Sequence, residues 1–406
     1  MTAPSTAPDV LIIGAGPAGS ACARVLARGG LRVRIVDQHP HGRDKTCGDG
    51  LIPDAHKALA RLGLLDEVMR LAEPVAHVAC IGPRGGRVDV PGSLAVLPRK
   101  VLDALMLTAA QAAGAQFEQA RFEAPIEEDG RVVGARLKRG DELVEVRADW
   151  VVLATGAVPK ALTAAGMCER HTPSGVALRG YVKAPQMVGK IKALEVVWDK
   201  AVRPGYGWIF PAPDGHFNIG VGVTDSHKDL NGKGRKKDVN LRAIFDAFVE
   251  KYAPAAELMR VGEKVGEGDQ WLKGAPLRCT LTGAKWTRPG LLVTGEAAGS
   301  TYSFTGEGIG KAMETGMLAA DAILAHRDDD AAARAAYEAS LTTLKPKFDL
   351  YERANRVNAH PWLADLLIWR AQKSPRLLKR MSGVLNETSN PGNLVSIKGF
   401  SRLFFE

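Results

Sequence analysis

The stretch Asp9-Val10-Leu11-Ile12-Ile13-Gly14-Ala15-Gly16-Pro17-Ala18-Gly19, continuing through an Ala-rich segment to Leu31-Arg32-Val33-Arg34-Ile35-Val36-Asp37, decides the fold. An apolar run enters a glycine-rich turn, a helix follows, and a second strand-like run ends on an acid. That is one βαβ unit opening with a dinucleotide-binding fingerprint. Gly14 makes the tight turn, Gly16 lets the backbone approach a pyrophosphate, and Gly19 lets the helix pack on its strand. The helix N-terminus offers free N–H groups and a partial positive charge to phosphates. Asp37 lies where a carboxylate can accept hydrogen bonds from a ribose, with Gln38 beside it. A GxGxxG alone is weak; strand, turn, helix, strand and acid together are specific.

Composition sets the outer limits. A chain of 406 residues can hold two domains or one large elaborated one. It contains no run of 18 or more uninterrupted apolar residues, so no membrane-spanning helix is expected. The polar, uncharged Met1 to Pro8 segment lacks the features of a signal peptide. Five widely spaced cysteines (Cys22, Cys47, Cys80, Cys168 and Cys279) include no CxxC pair, which argues for a reducing, cytoplasmic setting. The formal charge of +9 suits anionic partners: nucleotide phosphates, acidic headgroups or a phosphorylated substrate. The basic residues are dispersed and no nucleic-acid-binding motif occurs, so nucleic acid is not expected as a partner. His171, His216 and His360 have no metal-ligand spacing and read as structural. The sequence leaves the oligomeric state open.

Outward from the fingerprint, Gln38 to Gly50 is polar and rich in turn formers. A helix is expected from Pro53 to about Leu71, a hairpin over Ala76 to Val90, and a helix from Pro98 to about Ala113. Two short strands flank Glu128-Asp129-Gly130. Trp150 to Gly156 reads as a buried parallel strand ending in a small-residue turn. Between His171 and Thr282 alternating stretches predict an antiparallel sheet, interrupted by a basic loop (Lys228 to Lys237) and a helix (Leu241 to Tyr252). Nucleotide-domain texture returns at Pro289 to Gly295, followed by a long helix from Gly308 to His326. The expected fold is α/β with α+β character. A Rossmann-like domain (residues 1–75, 98–170 and 283–335) carries an inserted mixed antiparallel-sheet domain for substrate (76–97 and 171–282) and a C-terminal helical region (336–406).

A second site lies at Thr294-Gly295-Glu296, running on through Ser303-Phe304-Thr305-Gly306-Glu307-Gly308-Ile309-Gly310. Glu296 sits where a carboxylate can reach a sugar or ribityl hydroxyl, and the glycines lead into a helix N-terminus that could stabilise negative charge. A loop kept only for packing is the plainer alternative.

With both glycine-rich sites in view, the chain resembles the flavoprotein class that includes aromatic hydroxylases, flavin-dependent halogenases and geranylgeranyl reductases. The fingerprint, the Ala154-Thr155-Gly156 turn and the Gly295-Glu296 segment recur in that order in the class, over residue 9 to about 330. Glu296 departs from the aspartate usual there. The resemblance implies FAD, flanked by Arg99 and Asp103, and held by Gly14, Gly16, Ala18, Gly19, Asp37, Gln38, Cys47, Gly48, Arg99, Gly156, Gly295, Glu296, Gly306, Gly308 and Ile309.

Two motifs narrow this to the geranylgeranyl reductase family. Lys45-Thr46-Cys47-Gly48-Asp49-Gly50 resembles its Cys-Gly-Gly-Gly segment, with Asp49 departing from the glycine triplet. Tyr206-Gly207-Trp208-Ile209-Phe210-Pro211, followed by Asn218 to Gly222, resembles its YxWxFP substrate motif. Tyr206, Trp208 and Phe210 alternate along a strand, so all three face one way. Such a wall suits a flat or lipidic substrate, although aromatics at this spacing also serve as ordinary core. Cys47 could steer substrate or relay a proton, or be a small buried side chain in a glycine loop.

The resemblance therefore implies reduction of C=C bonds in a prenyl or other lipidic substrate, with Cys47, Tyr206, Trp208 and Phe210 as candidate catalytic residues. No second fingerprint follows a strand, so NAD(P)H would bind transiently or a ferredoxin would reduce the flavin. A monooxygenase or halogenase using a flavin hydroperoxide is the alternative, and a flavin-bound assembly factor is a third. From Lys345 onward, Arg370, Lys373, Arg376, Lys379 and Arg380 surround Leu363, Leu366, Leu367, Ile368, Trp369, Leu377, Leu378 and Met381. This resembles a basic amphipathic surface suited to the inner face of an anionic membrane, or a solvated helical cap with a basic outer face.

Overall fold

Val10–Ile13 is apolar and buried at every position, the signature of a strand covered on both faces. It forms the centre of a six-stranded sheet in the order Thr287–Arg288, Leu291–Val293, Trp150–Leu153, Val10–Ile13, Val33–Asp37, Gln116–Gln119. Every pairing is parallel except the edge hairpin 287–293. The computed structural model describes residues 7–224, 239–266 and 268–389 of the chain; the expected basic loop Lys228 to Lys237 lies outside the described residues.

Alternate side chains of the first strand feed two cores. Val10 and Ile12 pack with Leu26, Ala319, Ile323 and Tyr337 under the helices Pro17–Arg28, Ile309–Ala325 and Asp330–Ala354. Leu11 and Ile13 pack with Phe122, Val132, Leu137 and Leu153, beneath a three-stranded antiparallel sheet. Burying each such aliphatic side chain contributes roughly 1.5–3 kcal/mol. The small sheet comprises Arg121–Glu128, Arg131–Arg139 and Glu142–Arg147. The sequence pattern suggests only its first two strands. Val146 is the one fully buried residue of the third, so its apolar signal is too sparse to read.

The second sheet has nine strands and joins two distant parts of the chain. Glu73–Ile81 and Arg87–Val96 form a hairpin, and Leu194–Val197 pairs in parallel with the former. Gly205–Ala212, His216–Thr224 and Gly175–Lys183 continue the sheet as antiparallel neighbours. Gly50–Leu51, at the end of the cysteine-containing loop, pairs with the far edge of that hairpin.

The continuous helix expected over Pro53 to Leu71 is two helices, Pro53–Leu62 and Leu65–Leu71. Gly63 ends the first in the left-handed region (φ 70°), a C-terminal cap that glycine adopts without steric cost. The apolar face continues across the break, which explains why periodicity alone misses it. At the C-terminus, Trp362–Lys373 and Pro375–Leu385 cover the hairpin 73–96, with Ala364, Ile368, Ala371 and Leu377 buried against Val88 and Trp198. No helix among the described residues is long and apolar enough to cross a membrane.

Two close backbone approaches assemble the fingerprint. A Cβ on Gly19 would lie 1.9 Å from the Gly14 carbonyl oxygen. A Cβ on Gly316 would lie 2.2 Å from the Ala18 carbonyl oxygen, where helix 309–325 crosses helix 17–28. Gly316→Ala must therefore push two helices apart. Denaturant unfolding of the variant is expected to show a loss of about 1–3 kcal/mol; an unchanged midpoint would mean that the crossing can slide.

Candidate functional site

The ends of the parallel strands, the cysteine loop and the nine-stranded sheet enclose one cavity of about 1450 Å³. It is lined by Gly14, Gly16, Ala18, Asp37 and Gln38 of the first glycine-rich site, and by Arg99, Gly156, Glu296, Gly306, Gly308 and Ile309. Cys47, Gly48, Tyr206, Trp208 and Phe210 line it as well. The structure thus brings nearly all the sequence-predicted residues to one space. Gly19 and Gly295 stand outside the lining: Gly19 packs on Gly14, and Gly295 packs on Ala18 while its N–H donates to Thr315 Oγ1 (3.0 Å).

Asp37 Oδ2 accepts from the Ala15 N–H and Oδ1 from the His39 N–H, both at 2.9 Å, which fixes the carboxylate at the strand end. Arg99 and Asp103 form a buried bidentate pair (2.6 and 2.7 Å) one helical turn apart. Glu296 accepts from Lys45 Nζ at 3.2 Å and from Thr301 Oγ1 at 3.3 Å. Lys45 therefore brings a cation from the cysteine loop onto the second glycine-rich site, a pairing across 251 residues that no local motif signals.

The aromatic wall is larger than its motif. Tyr206 and Trp208 lie 6.2 Å apart, and Trp208 and Phe210 6.3 Å, all on the strand Gly205–Ala212. Trp198 lies 6.1 Å from Tyr206 and stacks on Phe304 at 6.2 Å, adding two cavity-lining rings that sequence reading left out. Tyr206 donates its hydroxyl hydrogen to the Thr305 carbonyl, tying the wall to the glycine-rich loop. Burial pushes its phenol well above the usual range.

Behind the wall runs a buried polar network. Asp49 is fully buried with φ 64°, and its carboxylate accepts from Tyr181 Oη, Asn218 Nδ2 (2.7 Å) and the Arg99 N–H (3.3 Å). Asn218 also donates to the Cys47 carbonyl (2.8 Å) and accepts from Trp208 Nε1 (2.9 Å). A Cβ on Gly48 would meet the Phe210 ring at 3.2 Å, so the loop lies directly against the aromatic wall. Asp49, which breaks the glycine triplet, is the anchor of its loop. Its partners Tyr181 and Asn218 lie more than 130 residues away, and only Asn218 fell within a recognisable motif.

The comparisons with known proteins agree with this geometry. The FAD binding domain family matches residues 7–194. Menaquinone reductase of Mycobacterium tuberculosis is 32% identical over 336 residues, covering 79% of this chain and 77% of that protein. Digeranylgeranylglycerophospholipid reductase 1 of Methanopyrus kandleri is 28% identical, covering 80% and 83%. A geranylgeranyl bacteriochlorophyll reductase-like structure from Thermoplasma acidophilum superposes with TM-score 0.75 at 22% identity, over 98% of this chain and 96% of that one. The chain belongs to the geranylgeranyl reductase family of FAD-dependent oxidoreductases. A flavin-dependent brominase shares the fold as well (TM-score 0.75, 20% identity, 98% of each chain).

The residues of this family member fit FAD. A Cβ added at Gly16 would have only Arg99 Nη2 nearby, at 3.8 Å, so the turn presents an open backbone face to the cavity. Thr155 Oγ1 lies in the lining of the cavity, is buried, and has no protein partner, as expected where a polar cofactor completes the hydrogen bonding.

Burial raises the Asp49 carboxyl from 3.8 to about 6, although Tyr181, Arg179, Asn218 and Arg99 all favour its charged form. Between those values the folded protein holds a proton that the unfolded chain releases, so this group's contribution to stability falls as pH rises from about 4 to about 6. Over that range the difference is on the order of 3 kcal/mol. In Asp49→Asn the slope of unfolding free energy against pH over that interval should become more positive than in the parent by up to about 1.4 kcal/mol per pH unit; an unchanged slope would mean that Asp49 is not raised.

Proposed function

We propose that this enzyme saturates carbon–carbon double bonds in an isoprenoid or similarly apolar chain. The observation that carries the reading is the continuity of the cavity. From the fingerprint turn it passes the Cys47 loop and the aromatic wall, and extends among Val78, Val196, Leu363, Leu367, Leu377 and Met381. A space lined both by the fingerprint turn and by this apolar group suits a chain-like substrate laid beside the cofactor. The relatives' names point the same way: menaquinone and a digeranylgeranyl glycerophospholipid both carry isoprenoid chains.

FAD, when bound and reduced by the donor, would supply the hydride. The remaining work falls to the chain. Trp198, Tyr206, Trp208, Phe210 and Phe304 offer flat apolar surface that orients a double bond and excludes water. Cys47 and Gly48 set the width of the passage against Phe210. Saturation also needs a proton at the second carbon, and Glu307 lines the cavity between Gly306 and Gly308. Burial, followed by the charges of Asp54 and Glu387, pushes its carboxyl up to about 8, so it holds a proton at neutral pH. Among the described residues only one fingerprint of the Rossmann type is present, so the electron donor is proposed to be a transiently docked NAD(P)H or a reduced ferredoxin.

The test is to incubate the dithionite-reduced holoenzyme anaerobically with a panel of prenyl lipids and measure product masses. Products heavier by one H2 per saturated bond are expected. Oxygen- or halogen-bearing products formed only in air would replace this reading with the oxygen-using one.

A further inference from the structure

The helix Trp362–Lys373 has two faces that do different work. Its inner face buries Ala364, Ile368 and Ala371 against the sheet, and its flank turns Leu363 and Leu367 into the cavity. Its outer stripe, at spacings of four, seven and eleven residues, consists of Trp362, Leu366, Trp369 and Lys373. Trp362 is 60% exposed and Trp369 48%, and they are the two exposed tryptophans among the large apolar side chains on the described surface. Indole rings of this size normally find cover in a water-soluble protein. Lys373 lies over the Trp369 ring at 4.6 Å, so cation and ring present themselves together.

The next helix, Pro375–Leu385, repeats the division. Leu377 and Met381 line the cavity, while Arg376 and Lys379 are exposed on its other side. Across the two helices Lys373, Arg376 and Lys379 are exposed, and the one carboxylate of the pair is Asp365. Asp365 is turned inward to accept from the Arg84 N–H (3.0 Å). Two further exposed arginines, Arg353 and Arg356, line the cavity just before these helices.

We propose that this helical pair is a docking surface for an anionic lipid bilayer, with Trp362 and Trp369 entering the headgroup layer and the basic side chains contacting lipid phosphates. Tryptophan is the residue suited to that interface, and each basic residue near an anionic surface adds about fivefold to binding. The same helices line the cavity, so docking presents it to the acyl layer, from which a chain-like lipid can enter without crossing water. The route for substrate rests on the proposed prenyl reduction; the docking itself does not.

The experiment is co-sedimentation of the FAD-loaded full chain with vesicles of phosphatidylcholine alone or mixed with phosphatidylglycerol, with tryptophan quenching by brominated lipid as a second readout. Binding is expected to the mixed vesicles only, and to weaken with salt. Trp362→Ser/Trp369→Ser should lower partitioning at least tenfold and abolish the quenching. Arg376→Glu/Lys379→Glu should lower it similarly. Both variants should keep their bound flavin and the parent's thermal unfolding midpoint, which shows that they fold. Equal binding to both vesicle types, no binding to either, or unchanged partitioning of the variants would overturn the proposal. Because no turnover of the lipid is read, failure of the prenyl-reductase reading would leave the binding intact.

Discussion

A buried carboxylate holds this molecule's two working halves in register. Asp49 receives hydrogen bonds from Tyr181 and Asn218 on the nine-stranded sheet, and from the backbone of Arg99 at the start of the helix beside the nucleotide fingerprint. Burying an unpaired carboxylate would cost several kcal/mol, and a group so placed persists only where its partners satisfy it. The loop carrying Cys47 is thus pinned between a cofactor cradle and an aromatic wall. Asn218 extends the grip by bonding the Cys47 carbonyl and the Trp208 indole together. If that network loosened, the passage between loop and wall would lose its width.

From this constraint the division of labour follows. The parallel sheet and its small-residue crossings bring Gly19 onto Gly14 and Gly316 onto Ala18. The large mixed sheet supplies the rings. Where the two meet, Tyr206 is bonded to the Thr305 carbonyl of the glycine-rich loop, and Lys45 reaches Glu296 from the cysteine loop. The Tyr206 bond joins the two halves directly, and the Lys45 bond ties the loop between them to the second glycine-rich site, so the site exists only in the assembled fold.

Much of the fold can be read in the sequence, for a physical reason. Val10 to Ile13 and Trp150 to Leu153 are apolar throughout, and glycines at 14, 16 and 19 carry a turn whose geometry few other residues tolerate. Such signals are local. The aromatic motif is local too, because Tyr206, Trp208 and Phe210 share one strand. What escapes reading depends on pairing between distant segments. Trp198 and Phe304 join the wall from elsewhere, and Tyr181 meets Asp49 across the sheet. The break at Gly63 escapes because the apolar face continues through it. The strand Glu142–Arg147 escapes because it buries so little. Asp49 looks like a defect in a glycine triplet until its three donors are seen.

The central claim is that a reduced flavin in this cavity gives its electrons to a carbon–carbon double bond. Its most direct test is a single-turnover experiment: the enzyme's flavin is reduced under strict anaerobiosis, a prenyl lipid is added, and the flavin absorbance is followed. The account predicts that the oxidised spectrum returns with no oxygen present, in proportion to the double bonds consumed. A flavin that stays reduced with every lipid, and reoxidises only when air is admitted, would contradict it.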